Sequence, residues 1–159
     1  MTAEWAGFSA DITSQLKRLY HWLVDNQPSE HRDDLTLVHG DSNLANYMFR
    51  NDKLVAILDW EIAGIINPSM DIVIQCDFND YCRRISPPEV RNIIPTKEQW
   101  ISRYEELTGK RLADFEYWRK VASFTGLIIM HSILRSIPLE HQAAYSQVLD
   151  PLWAVANSP

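Results

Sequence analysis

A short β-hairpin signal in the first half of the chain constrains its fold more than any other feature. Two runs rich in aliphatic and aromatic residues, 47–50 and 54–58, are separated only by the tripeptide Asn-Asp-Lys at 51–53, which is typical of a tight turn. A third run, 35–39, precedes them and predicts a short buried strand. The sequence therefore predicts one small β element at 35–58.

Outside this element, apolar residues recur every three to four positions, which predicts helices that each bury one face. Thr96 and Gln99 form a capping box, and Gly109 suits the end of the same helix. The pattern is continuous, so we expect a single domain, 1–159, of the α+β class that is mostly helical. The predicted helices are 4–26, about 70–84, one between Thr96 and Gly109, about 113–135, and one that begins after Ser136 and is broken by Pro151.

Charge and composition exclude several classes of protein. Fifteen basic and 21 acidic side chains give a net charge of −6, whereas a surface that coats nucleic acid needs clustered Lys and Arg. The longest apolar runs are far shorter than the roughly 20 residues that span a bilayer, and no signal peptide is visible. Cys76 and Cys82 match no metal-binding frame, which favours free thiols in a reducing compartment. We therefore expect a cytoplasmic protein with no nucleic-acid or membrane partner.

Polar residues flank the predicted hairpin at its open end. Asn46 precedes the first hairpin strand, and Asp59 directly follows the second. A turn at 52–53 would pair Asn46 with Asp59, whereas a turn at 51–52 would pair Asn46 with Ile57. In either register Asn46 and Asp59 lie within the ~5–8 Å of direct or diagonal neighbours. An amide oxygen and a carboxylate at that separation suit Mg²⁺, which prefers oxygen ligands.

Asp41 lies in the loop before the hairpin, where it is free to act as a base toward a hydroxyl. Phosphoryl transfer needs such a set, because one Asp deprotonates the attacking hydroxyl while an Asn and a second Asp hold the magnesium that bridges the nucleotide phosphates. Taken singly, Asp41, Asn46 and Asp59 are ordinary turn or capping residues. Together, in this order around a hairpin, they favour a phosphotransfer site.

Three short motifs also carry a resemblance to a known family. The runs HGDSNLAN, LDWE and NPSMD resemble the pattern H-G-D-x4-N, D-[FW]-E and G-x-P-x-x-D of the aminoglycoside phosphotransferase / choline kinase-like family, although Ile66 stands at the position of the last glycine. The resemblance implies a protein-kinase-like fold, of which this chain matches the helical C-terminal lobe that carries the small hairpin. It also implies Mg²⁺ with ATP or GTP as cofactors, and an aminoglycoside- or choline-like small molecule as acceptor. The implied site residues are Asp41 as catalytic base, Asn46 and Asp59 as magnesium ligands, and His39 and Asp71 as structural supports of the catalytic loop.

The nucleotide-binding lobe of such a kinase is not evident in the sequence. That lobe supplies a glycine-rich loop and a strand-borne Lys that hold the nucleotide phosphates. Only 38 residues precede His39, and the five glycines of the chain lie far apart. We therefore expect the N-terminal lobe to be absent and the isolated chain to transfer phosphate weakly or not at all.

Two other functions compete with this interpretation. In the first, the chain is a non-catalytic binding module that forms a homodimer through the apolar face left by the absent lobe. In the second, the same carboxylates serve a metal-dependent hydrolase. The lack of a second set of Asp or His ligands argues against the hydrolase.

Overall fold

A computed structural model describes residues 8–29 and 35–158, without the side chains of 139 and 143–147. Residues 4–7 of the predicted first helix lie outside the described residues. The predicted α+β class, mostly helical with small β-hairpin elements, is confirmed. In chain order the elements are α1 Ala10–Asp25, β1 Thr36–Val38, a short 3₁₀ turn Leu44–Asn46, β2 Tyr47–Arg50, β3 Lys53–Ile57, β4 Gly64–Ile66, α2 Ser69–Ile85, α3 Pro88–Arg91, α4 Lys97–Thr108, α5 Phe115–Ser136 and α6 Leu139–Ala156.

The chain forms two compact units. The central unit, Ser29–Trp118, contains β1 to β4 and α2 to α4, and its core is built on α2. The terminal unit combines α1 with the chain from Arg119 onwards. The expected single domain, 1–159, stays a prediction. In the part of the chain that the structure describes, no helix is long and apolar enough to cross a lipid bilayer.

The β element consists of two separate antiparallel pairs, β2 with β3 and β1 with β4. Asn51 and Asp52 form the β2–β3 turn, with φ values of 49° and 60° that suit a type I′ hairpin. An irregularity after Met48 places one extra residue in β3, so that the Leu58 N–H donates to the Asn46 carbonyl at 2.8 Å. The 51–52 turn is therefore confirmed, but neither predicted partner of Asn46 is correct, because the bulge shifts the register by one residue.

The predicted buried strand at 35–39 is shorter and more exposed than expected. Only Val38 of β1 is buried, whereas the Leu37 side chain is 59% exposed. β1 pairs with β4, in which Gly64 lies opposite Val38. β4 is too short to predict from the sequence, because three residues are too few to show a period of two. A two-stranded ribbon buries little on its own, which explains why the apolar run is not fully covered.

α6 continues through Pro151, contrary to the prediction that this proline breaks the helix. Side chains of α5 bind carbonyl groups beyond the proline. The Ser123 hydroxyl donates to the Leu152 carbonyl at 2.5 Å, and the Lys120 ammonium donates to the Val155 carbonyl at 3.4 Å. These bonds hold the part of α6 that follows the proline against α5, while the proline removes a single backbone hydrogen bond.

Two predictions from short-range sequence signals are confirmed. Thr96 and Gln99 form both hydrogen bonds of the capping box, and Gly109 ends α4 with a left-handed conformation.

Both cysteines are free. Cys76 is buried on α2, where burial raises the pKa of its thiol to about 12. A thiol that stays protonated in this way is a packing residue rather than a nucleophile.

Candidate active site

The predicted site residues gather around the loop between β1 and β2. His39 follows β1, Asp41 lies inside the loop, and Asn46 ends the 3₁₀ turn directly before β2. Asp59 follows β3 after one intervening residue, and Asp71 lies in the first turn of α2. Hydrogen bonds connect His39, Asp41, Asn46 and Asp71 to one another or to the same loop. Asp59 takes no part in these bonds itself. Its neighbour Leu58 binds His39 through its carbonyl and Asn46 through its N–H.

The Asp71 carboxylate holds the start of the loop. Its two oxygens accept the His39 N–H and the Gly40 N–H, each at 2.9 Å. The Ser42 hydroxyl donates to the Asp71 carbonyl at 2.7 Å, which adds a third link between loop and helix. At the N-terminus of α2 the helix dipole also favours a negative charge. One side chain therefore fixes the loop backbone to the end of a buried helix.

The buried His39 imidazole joins the loop to the segment that leads to Asp59. Its Nδ1 accepts the Asp41 N–H at 3.2 Å, and its Nε2 lies 2.7 Å from the Leu58 carbonyl oxygen. Because an amide N–H only donates and a carbonyl only accepts, the ring carries its proton on Nε2. The Trp60 ring packs against the imidazole, with 4.7 Å between ring centroids. His39 thus links the backbone at Asp41 to the backbone at Leu58.

The Asp41 carboxylate is oriented by two asparagine side chains. Asn43 Nδ2 donates to Asp41 Oδ1 at 2.7 Å, and Asn46 Nδ2 donates to Asp41 Oδ2 at 2.8 Å. Asn46 Nδ2 also lies 2.9 Å from the Asp41 carbonyl oxygen. Asp41 is half-buried, and each carboxylate oxygen keeps a lone pair for an incoming hydroxyl. With its amide nitrogen used in this way, Asn46 leaves its amide oxygen for another partner.

Asp59 lies exposed in a tight turn that its neighbours close. Its φ is 64°, a left-handed conformation that Asp tolerates better than most residues. On one side the Leu58 N–H binds the Asn46 carbonyl, and on the other the Trp60 indole N–H donates to the Ile57 carbonyl at 2.8 Å. These bonds fix the backbone around Asp59. The Asp59 carboxylate itself has no described hydrogen bond.

The donor set fits a magnesium ion that draws on water and phosphate for its remaining ligands. Among residues 8–29 and 35–158, no group of three or more His, Cys, Asp or Glu side chains could hold a metal. Asn46 and Asp59 instead offer one amide oxygen and one carboxylate on adjacent segments. Mg²⁺ is commonly bound by one or two protein oxygens together with waters and substrate phosphates. The chemistry of the two side chains therefore suits the ion that the sequence predicted.

Three residues that the sequence analysis did not single out also shape the loop: Ser42, Asn43 and Tyr47. The Tyr47 hydroxyl donates to the Ser42 carbonyl at 3.4 Å. Burial raises the pKa of Tyr47, and the nearby carboxylates of Asp71 and Asp41 raise it further, while the hydrogen bond to Ser42 acts in the opposite direction. A signal for Asn43 existed, because an Asn two residues from an Asp in a loop is suited to local side-chain bonding.

Gly40 is required for this loop conformation. Its φ is 85°, and a Cβ atom would lie 2.7 Å from the Ile62 carbonyl oxygen. We expect Gly40→Ala to lower the free energy of unfolding by about 3 kcal/mol, because left-handed strain and a backbone clash add together. Gly109→Ala is the matched control, since Gly109 has a φ of 66° but nothing within 4 Å of a Cβ. It should cost only about 1 kcal/mol. Equal losses in urea unfolding would show that the Ile62 contact is unimportant.

The chain is similar to known proteins over much of its length. The model of the phosphotransferase enzyme family matches residues 4–119, well over half of the chain. Acyl-CoA dehydrogenase family member 10 of Mus musculus is 38% identical over 63 residues, which are 38% of this chain and 6% of that protein. Family member 11 of Pongo abelii is 31% identical over 102 residues, which are 59% of this chain and 13% of that protein. The chain thus spans a small part of these relatives. The resemblance inferred from the motifs is confirmed: this chain belongs to the phosphotransferase enzyme family.

Proposed function

We propose that this chain carries the catalytic residues of a small-molecule kinase, which transfers a phosphoryl group from a nucleotide to a hydroxyl. Membership of the phosphotransferase family suggests kinase activity of this general kind. The more specific proposal, that Asp41 is the catalytic base, rests on one observation. The Asp41 carboxylate is half-buried and held at both oxygens by Asn43 and Asn46. A carboxylate oriented in this way matches the base that phosphoryl transfer requires.

In this mechanism, the residues have distinct tasks. Asp41 accepts a hydrogen bond from the acceptor hydroxyl and takes its proton as the oxygen attacks the γ-phosphorus, while the bond from that phosphorus to the nucleoside diphosphate breaks and the diphosphate leaves. Asn43 and Asn46 hold that carboxylate in its orientation, while Asp71 and His39 hold the backbone on either side. The Asn46 amide oxygen and the Asp59 carboxylate would hold Mg²⁺, which when bound offsets charge on the nucleotide phosphates. Positioning and electrostatics supply most of the rate enhancement in such reactions.

The nucleotide and acceptor follow from the resemblance of the motifs. We propose ATP or GTP as donor and an aminoglycoside- or choline-like molecule as acceptor, in the cytoplasm. The 159 residues contain five dispersed glycines and no glycine-rich loop to cover the phosphates. The chain by itself should therefore transfer phosphate slowly, and assays need single-turnover sensitivity.

Metal-dependent nucleotide binding tests the proposal. Titration of a fluorescent ATP analogue, with and without Mg²⁺, should give a metal-dependent signal in the wild type. We expect Asp59→Asn to weaken that signal at least tenfold, because a neutral amide is a poorer Mg²⁺ ligand than a carboxylate. Asp52→Asn is the matched control, since Asp52 is an exposed carboxylate at the hairpin turn. A wild type without metal dependence, or equal losses in the two variants, would contradict the assignment.

A homodimeric binding module is the second candidate function. Its support is the exposure of apolar side chains on the β2–β3 hairpin, where Phe49 is 59% and Val55 is 53% exposed. Large exposed apolar patches commonly mark interaction surfaces. Sedimentation velocity should then show a dimer that Phe49→Ser dissociates. Ile93→Ser, at a 78% exposed residue outside the hairpin, should have no effect. A wild-type monomer at all concentrations would remove this candidate.

A further inference from the structure

A cleft lined by arginines lies in the central unit, away from the phosphotransfer residues. It has a volume of about 410 Å³ and is lined by Asp80, Arg83, Arg84 and Arg91. Asp71 stands at the beginning of α2, and Arg84 is thirteen residues further along the same helix. At 1.5 Å per residue these positions are separated by about 20 Å. The cleft is therefore distinct from the site at Asp41.

The sequence after α2 explains how the arginines come together. Arg83 and Arg84 lie in the last turn of α2, and Pro88 starts the short α3, which ends at Arg91. Pro87 and Pro88 limit the backbone between the two helices, because their rings fix φ. This tight connection returns the chain toward the end of α2 and brings Arg91 to the same cleft.

Backbone carbonyls, not carboxylates, hold two of the guanidinium groups in place. Arg83 Nη1 donates to the Arg91 carbonyl at 2.8 Å and to the Ile94 carbonyl at 2.6 Å. Arg91 Nη2 donates to the Ser86 carbonyl at 3.1 Å. A guanidinium has five N–H groups, so both side chains keep further donors for a ligand. Their geometry is thus set in advance by neutral carbonyl groups.

The charge balance of the cleft is positive. Asp80 is the one carboxylate among the lining residues, against three arginines. Neither the Lys97–Glu116 nor the Arg103–Glu106 ion pair involves the cleft. Arg84 makes no hydrogen bond there either. Each of the three arginines lies in the last turn of its helix, where a positive charge is favourable.

We propose that this cleft binds a small phosphate-bearing anion, with a diphosphate group, free or as part of a nucleotide, as the expected ligand. Guanidinium groups bind phosphate oxygens through two parallel N–H bonds, which makes arginine the preferred residue for such anions. A volume of about 410 Å³ lies within the usual range of ligand sites. The proposal goes beyond the kinase function and does not depend on it.

Calorimetric titration of the whole chain with pyrophosphate, at constant ionic strength and with EDTA present, tests the cleft directly. The wild type should show saturable binding, and Arg84→Gln should weaken it about tenfold, since a bond to a charged group is lost. Arg84→Gln should change the unfolding temperature only slightly without ligand, because an exposed charge at a helix end contributes about 0.3–1 kcal/mol. Arg103→Gln, at an arginine paired with Glu106 outside the cleft, is the matched control and should bind as the wild type does.

Two further variants make the test independent of folding and of the active site. Asp80→Asn should tighten binding severalfold, because it removes the carboxylate that opposes the anion. Asp59→Asn should bind pyrophosphate as the wild type does. ADP that binds more tightly than pyrophosphate would identify a nucleotide as the ligand, and equal affinities would identify the diphosphate group alone. The absence of saturable binding, equal binding by Arg84→Gln and Arg103→Gln, or loss of binding in Asp59→Asn would overturn the proposal.

Discussion

Asp41→Asn is expected to lower the rate of phosphoryl transfer by about 10²–10⁴-fold, the usual contribution of a general base. The substitution keeps the size of the side chain and one of its acceptor oxygens, but it removes the group that takes the proton. Asn43 and Asn46 both donate to the Asp41 carboxylate, so the new amide nitrogen would face one of these donors. The resulting loss of stability should be only about 1 kcal/mol, and the effect on rate should far exceed it.

The measurement is single-turnover transfer from ATP labelled on its γ-phosphate to a panel of hydroxyl acceptors, with Mg²⁺ in excess. Asp52→Asn again serves as the matched exposed carboxylate. Asn43→Ala separates orientation from proton transfer, because it removes one of the two bonds that orient Asp41 but keeps the base. We expect a loss of about tenfold there. An Asp41→Asn variant that retains the wild-type rate would exclude Asp41 as the base.

Asp71→Ala is expected to lower the free energy of unfolding by about 3 kcal/mol, because hydrogen bonds to a charged acceptor contribute about 1.5–3 kcal/mol each. The Asp71 carboxylate accepts the backbone N–H groups of His39 and Gly40, and alanine would leave both without it. The loss also removes a negative charge from the N-terminus of α2. The loop should become mobile while the helices remain folded.

Urea unfolding combined with amide hydrogen exchange checks this expectation. Hydrogen exchange at the His39 and Gly40 amides should accelerate more than exchange at the amides of α2 and α4. Asp80→Ala, at a carboxylate of the same helix with no described hydrogen bond, should change stability by less than about 0.5 kcal/mol. Similar losses in the two variants, or unchanged protection of the two loop amides, would show that Asp71 does not brace the loop.

Features that depend on neighbours along the chain could be predicted from the sequence. The turn at Asn51 and Asp52, the capping box at Thr96, and the end of α4 at Gly109 each depend on contacts within a few residues. The motifs around Asp41 and Asp59 are short and contiguous, so the candidate site residues could be named from the sequence, and their roles stay a prediction. The family assignment rests on the same motifs and is confirmed.

Features that depend on distant residues could not be predicted in detail. The extra residue in β3 changes which position faces Asn46. Whether such a bulge stabilises or destabilises the hairpin depends on how the hairpin packs. α6 passes through Pro151, and the part of it beyond the proline is held by a hydrogen bond from α5. The arginine cleft likewise depends on the angle between α2 and α3, which the spacing of apolar residues in the sequence does not predict.

The sequence by itself determined the family, through three short motifs, and most of the helical segments, since both follow from residue identity and local spacing. The tertiary structure alone decided how the candidate site residues are held. The Asp71 carboxylate reaches the His39 backbone across 32 residues of chain, and the His39 ring connects the Asp41 loop to Leu58. Such bonds form only when separate elements meet in space. For this reason the candidate residues, with His39 and Asp71 as supports, could be named from the motifs, but the hydrogen bonds by which those supports hold the loop required the folded chain.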